Sequence, residues 1–136
     1  MISFNYETEF NLSDENGIGS WISDVIEQEG CSEGEINYIF CDDEYLHKLN
    51  VEFLDHDTLT DIISFDYTMG KLISGDIFIS VERVEDNAKD FEVDFETELK
   101  RVIVHGVLHY CGYKDKTDEE AKVMRSKEDY YLNIIA

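Results

Sequence analysis

At 136 residues, with 43% hydrophobic and 32% charged side chains, the chain is long enough to bury a core and is expected to form one domain over residues 1–136. Its formal net charge of −21 argues against tight binding to bare nucleic acid, whose phosphates call for Lys and Arg. No run approaches the roughly 20 apolar residues of a membrane helix, and the start Met-Ile-Ser-Phe-Asn-Tyr lacks a signal's basic region and apolar run, so no membrane association and a cytoplasmic location are expected.

Ile2–Tyr6 alternates apolar and polar residues and reads as a strand. Ile18, Trp21, Ile22, Val25 and Ile26 recur at helical spacing, predicting an amphipathic helix over Asp14–Glu29 that Gly30 ends. Glu35–Cys41 is rich in aromatic and branched residues and reads as a second strand. Asp42 is a fitting N-cap for a helix running to about Leu54. Asp61–Tyr67 and Leu72–Val81 have strand character, and Met69-Gly70-Lys71 is short enough to make them a hairpin. A brief helical stretch over Glu82–Lys89 precedes a longer helix starting near Asp94, whose core stripe is Leu99, Val102, Ile103, Gly106 and Tyr110. Thr117 and Glu120 have capping-box spacing and start a last helix, with Ala121, Met124, Tyr131 and Ile135 as its buried side. The main elements run β-α-β-α-β-β-α-α. That order predicts an α+β fold: a small mixed sheet of about four strands covered by helices.

His105 and His109, four apart on the predicted helix, share a face with Cβ atoms about 5–6 Å apart. Imidazoles at that spacing can both reach one metal ion at about 2.0–2.1 Å. The pair alone equally suits two half-buried histidines satisfied by protein neighbours. Gly112, placed to end the helix in a left-handed turn, lets Asp115 return to the same point, which favours the metal reading. Two imidazoles, one carboxylate and an open fourth position suit a catalytic zinc site better than a closed structural one. The zinc peptidase pattern H-E-x-x-H is not met, because Gly106 stands where that pattern places its general base. Cys31, Cys41 and Cys111 are odd in number and lack a C-x-x-C pair, so they read as small buried hydrophobes in a reducing compartment. Cys111 falls on a different helical face from His109 and is not counted as a ligand.

His105, Gly106, Leu108, His109, Gly112 and Tyr113 follow the signature H-G-x-L-H-x-x-G-Y-D-H, and the chain resembles the YbeY family of bacterial endoribonucleases. Lys114 and Asp115 depart from it, standing where the family has Asp and a third histidine. Thr60-Asp61-Ile62-Ile63-Ser64-Phe65 is similar to T-D-V-L-S-F, and Gly75-Asp76-Ile77 to G-D-I. Glu120, Ala121, Met124 and Glu128 resemble the downstream pattern, and Leu49-Asn50 with Phe53 resembles L-N-x-x-Y. Leu54 occupies the place of a family arginine.

The resemblance implies a zinc-hydrolase-like fold with the histidine pair on a helix. It also implies one divalent metal, zinc above all, held by His105, His109 and Asp115. The activity it implies is a single-strand-specific endoribonuclease that matures the 3′ end of small-subunit ribosomal RNA and serves ribosome quality control. Its expected partners are ribosomal RNA and the small ribosomal subunit or its assembly factors. A carboxylate in place of an imidazole is a harder ligand, which makes manganese more competitive. His56 is a candidate phosphate ligand or general acid in place of the missing arginine, against an exposed loop histidine among Asp55 and Asp57. Arg101, Lys114 and Lys116 are further sources of positive charge. His47 is assigned to surface or packing. Asp61 is read as a turn or cap residue, and Asp76 as hydrogen-bonding backbone or orienting a ligand imidazole.

Seven of the eleven basic residues fall in 100–127, a window with a formal charge of +3, which suits either the approach of an anionic substrate or a solvated helix face with its ion pairs. Two other functions compete: a hydrolase of another bond such as a peptide, disfavoured by Gly106, and a non-catalytic ribosome-assembly factor with a structural metal, favoured by Leu54.

Overall fold

The computed structural model describes residues 1–54 and 60–134. Among them the elements run β1 (Ile2–Tyr6), α1 (Glu15–Gln28), β2 (Ser32–Cys41), α2 (Asp43–Leu54), β3 (Ile62–Asp66), β4 (Leu72–Ser80), α3 (Val81–Asp90), α4 (Phe95–Tyr110) and α5 (Asp118–Ile134). The α+β expectation holds, with one more full helix than the main order allowed for. The stretch before α4 is the ten-residue α3, started by Ser80, whose hydroxyl accepts from the Arg83 N–H at 3.2 Å.

Local chemistry sets most boundaries. The Asp14 carboxylate accepts from Gly17 N–H at 3.0 Å and caps α1. Asp42 accepts from Tyr45 N–H at 2.8 Å at the start of α2. Thr117 and Glu120 bond reciprocally at 3.0 Å, as a capping box does, at the start of α5. β2 begins at Ser32, earlier than its aromatic run suggested, because Ser32 and Glu33 pair with Leu72 and Ile73 of β4.

The sheet order is β1-β2-β4-β3, with β1, β2 and β4 parallel and β3 antiparallel to β4. On one face, Ile36, Tyr38, Ile73, Ile77 and Ile79 form a core with Ile22 and Ile26 of α1 and Leu99, Ile103 and Val107 of α4. On the other, Cys41, Ile63 and Leu46 of α2 form a smaller cluster with Phe65 and Phe78 packed against it. The Tyr38 hydroxyl donates to the Ile103 carbonyl at 2.8 Å, tying strand to helix inside the core. On α5 the buried stripe is Met124, Glu128 and Tyr131. Ala121, expected inside, is exposed, and Ile135 lies outside the described residues. No helix among the described residues is long and apolar enough to cross a membrane.

Candidate metal centre

α4 fixes the two histidines. Val104, Gly106, Val107, Leu108 and Tyr110 are buried around them, while His105 and His109 sit half-buried at the border of that face. Gly106 faces the sheet, where a Cβ would come within 3.0–3.2 Å of Ile77 and Ile62, so a bare glycine lets α4 lie close. The helix ends at Gly112, φ +108, whose N–H donates to the His109 carbonyl at 3.0 Å while Tyr113 N–H donates to Leu108 at 3.1 Å. This is a Schellman closure, and it requires the left-handed residue glycine supplies.

The reversal returns Asp115 to the histidines. Its Oδ2 lies 3.4 Å from Nε2 of His105 and 3.4 Å from Nε2 of His109, and the two Nε2 atoms are 2.9 Å apart. The other ring nitrogens are occupied: His105 Nδ1 is 2.6 Å from Glu128 Oε2, and His109 Nδ1 is 2.9 Å from the Tyr113 carbonyl. A carboxylate and a carbonyl only accept, so each Nδ1 carries the hydrogen and each Nε2 turns a lone pair inward. With both imidazoles neutral, these two Nε2 atoms and Asp115 Oδ2 converge as three acceptors. Such a cluster calls for a cation. Donor atoms around a tetrahedral zinc lie roughly 3.3–3.4 Å apart, as bond lengths of about 2.0–2.1 Å require, so only the edge between the two histidines must open by a few tenths of an ångström. The residues fit a divalent metal.

Glu128 is held in turn. Arg101 Nη1 donates to its Oε1 at 2.9 Å, and Arg101 Nη2 donates to Asp129 at 2.6 Å. Burial, the largest influence, pulls the His105 pKa down; the Glu128 hydrogen bond and charge, with Asp115 and Asp61, outweigh it and raise the value. In the sequence Glu128 stands only as a position in the family pattern. Its signal is an acid lying on the apolar stripe between Met124 and Tyr131, where an unpartnered carboxylate would be costly.

A cleft of about 780 Å³ contains the three converging side chains and is also lined by Asp61, Asn87, Phe91, Glu98, Lys122 and Arg125. Burial pushes the carboxyls of Asp61 and Glu98 above the usual carboxylate range. Asp61 is more than a turn residue: it lines this cleft, where Oδ2 accepts from Asn87 Nδ2 at 3.3 Å. Asp76 is turned elsewhere, accepting from Asn37 of β2 at 3.0 Å, so it orients neither imidazole. Arg101 reaches the cleft but serves Glu128 and Asp129, and Lys114 and Lys116 are exposed outside its lining. Cys111 is not among the converging donors; burial and then the neighbouring Cys31 drive its thiol pKa well up. His56 lies outside the described residues, and Leu54 is the last residue of α2.

Residues 3–136 match the family described as Endoribonuclease YbeY. An Endoribonuclease YbeY of Flavobacterium johnsoniae is 74% identical over 129 residues, covering 95% of this chain and 93% of that one. One of Flavobacterium psychrophilum is 62% identical over 134 residues, covering 98% and 96%. The solution structure of TM1509 from Thermotoga maritima is similar with a TM-score of 0.72 at 30% identity, covering 98% of this chain and 87% of that one.

Proposed function

The chain belongs to the YbeY family of endoribonucleases, and we propose that it is a metal-dependent, single-strand-specific endoribonuclease acting on the 3′ end of small-subunit ribosomal RNA and in ribosome quality control. One observation carries the metal part of this reading: Nε2 of His105, Nε2 of His109 and Oδ2 of Asp115 meet as three acceptors, because both Nδ1 hydrogens are already donated outward. His105, His109 and Asp115 hold the ion, with zinc the first choice and manganese its competitor because of the carboxylate. The chemistry a bound divalent ion supplies is polarisation of a phosphoryl oxygen and a more acidic water. The chain's own residues do the rest. Glu128 keeps His105 in the tautomer that leaves Nε2 available, and the Tyr113 carbonyl does so for His109. Lys122 and Arg125, lining the cleft, meet the phosphates of an entering strand. Ribosomal partners deliver that strand, since the rest of the surface is strongly acidic.

The purified chain should contain about one zinc or manganese ion and cleave single-stranded RNA. In His109→Ala and Asp115→Ala, metal affinity and cleavage should both fall by about 100-fold or more, exceeding the cost of losing only an outer hydrogen bond to a ligand. Metal analysis and a labelled-RNA cleavage assay check this. Full-rate cleavage without metal would refute the reading. Normal metal content with no cleavage of any RNA would favour an assembly factor with a structural ion, consistent with Leu54 in the place of the family arginine.

A further inference from the structure

The turn from α3 to α4 presents a phenylalanine that the packing does not use. Phe91 ends α3, its N–H donating to the Asn87 carbonyl at 2.9 Å. The chain then reverses through Glu92 at φ 56, with Glu92 N–H donating to Lys89 at 3.2 Å and Val93 N–H to Ala88 at 3.0 Å. A non-glycine residue in the left-handed region is uncommon, and these bonds hold it there. The turn therefore offers its side chain from a fixed backbone.

Phe91 is 55% exposed. Phe53, exposed to a similar degree, rests edge-on against Phe65 with ring centroids 5.9 Å apart, whereas Phe91 makes no ring contact among the described residues. Scattered apolar side chains on a surface need no explanation. This one, however, lines the cleft that holds His105, His109 and Asp115. The same cleft is lined by Asp61, Asn87, Glu98, Lys122 and Arg125 and by the aliphatic Ile62, Val102 and Met124, so Phe91 is its one aromatic carbocycle among the described residues.

We propose that Phe91 is a substrate-binding residue, a platform on which one base of the RNA stacks while Lys122 and Arg125 take adjacent phosphates. The inference rests on the endoribonuclease reading and deepens it. Every base has an aromatic face, so stacking tolerates any sequence. A base held in a duplex keeps its faces covered by its neighbours, so only an unpaired, splayed base can use the ring. Phe91 thus contributes to single-strand selectivity.

The test compares wild type with Phe91→Trp, Phe91→Leu and Phe91→Ala, all at an exposed position where folding is not at stake. The probe is a short mixed-sequence oligoribonucleotide carrying one 2-aminopurine. Its fluorescence is read by stopped flow before cleavage proceeds, and steady-state cleavage is measured beside it. Wild type and Phe91→Trp should quench the probe on binding. Phe91→Leu and Phe91→Ala should bind about 10-fold more weakly without the quench, with KM raised to match and kcat within about twofold of wild type. Leucine that serves as well as phenylalanine, or alanine with unchanged KM, overturns the inference while a cleaving wild type preserves the nuclease reading. A wild type that quenches through Phe91 but never cleaves keeps the platform and removes the nuclease. A wild type that neither binds nor cleaves removes both.

Discussion

Asp61 lines the cleft with a carboxyl that burial, helped by the charge of Glu128, pushes upward against the lowering by its own backbone N–H, the field of His105 and the Asn87 hydrogen bond. Its pKa in the folded chain therefore exceeds the value of about 3.9 expected when unfolded. Below that unfolded value the group is neutral in both states and costs nothing. As pH rises through the folded value, the folded state must bury a charge and stability is lost relative to the acid form. An amide avoids that cost and still accepts from Asn87. In chelator-treated protein, where no cation offsets the carboxylate, Asp61→Asn should stabilise the fold at pH 7 by about 0.5–1 kcal/mol, the usual gain from relieving a strained site. The gain should shrink toward zero near pH 4. Thermal melts at several pH values decide it. A variant less stable than wild type at pH 7 would mean that the carboxylate makes a favourable contact outweighing its burial.

At the level of whole elements, Gly75 sets how closely α4 lies on the sheet. A Cβ there would overlap both the Tyr110 hydroxyl and the Phe65 carbonyl oxygen, the second a backbone atom with nowhere to go. The same hydroxyl bonds the Phe65 carbonyl at 3.0 Å and the Asp76 carbonyl at 3.2 Å, joining the helix of the histidines to β3 and β4. Gly75→Ala should cost about 1–3 kcal/mol as overpacking does, read as a lower urea midpoint at unchanged slope. A loss under about 0.5 kcal/mol would mean that helix and sheet part freely. The sequence disclosed elements whose signals are local. Asp14, Asp42 and the Thr117–Glu120 pair act within three residues, and Gly112 closes α4 on its own last turn. α3 gives a weak signal because it buries only Val84 and Ala88, too few apolar positions to declare a period. Ala121 shares the phase of Met124, Glu128 and Tyr131 but lies in the first turn of α5, where it lines the open cleft instead of packing on the core. His105, His109 and Asp115 could be grouped from spacing, since a helix turn and a glycine reversal bring them together. Their outer partners could not. The one for His109 is a backbone carbonyl without side-chain identity, and Glu128 is distant from His105 in the chain. Arg101 reads as free charge for the same reason: composition records its sign and not its commitment to Glu128 and Asp129.

Across the whole molecule the charge is segregated: residues 1–70 contain one basic side chain, Lys48, against the seven in 100–127. Not all seven reach the cleft. Arg101 is engaged with two carboxylates, and Lys127 pairs with Glu29 at 3.3 Å beside the Tyr113 ring. Lys122 and Arg125, the latter exposed and only 3.8 Å from Glu128 at its Nη1, are left to meet phosphates, within a chain of net charge −21. Each phosphate neutralised on a single strand contributes about −0.7 to the slope of log Kobs against log salt. Two or three contacts therefore give a slope of about −2 or shallower, with micromolar or weaker affinity for bare single-stranded RNA at physiological salt. Fluorescence titration of an unstructured oligoribonucleotide across a salt series measures both. A slope of about −3.5 would require Lys100, Lys114 and Lys116 to join the interface. The acidic remainder would then be no obstacle to free RNA, and delivery by a ribosomal partner would be unnecessary.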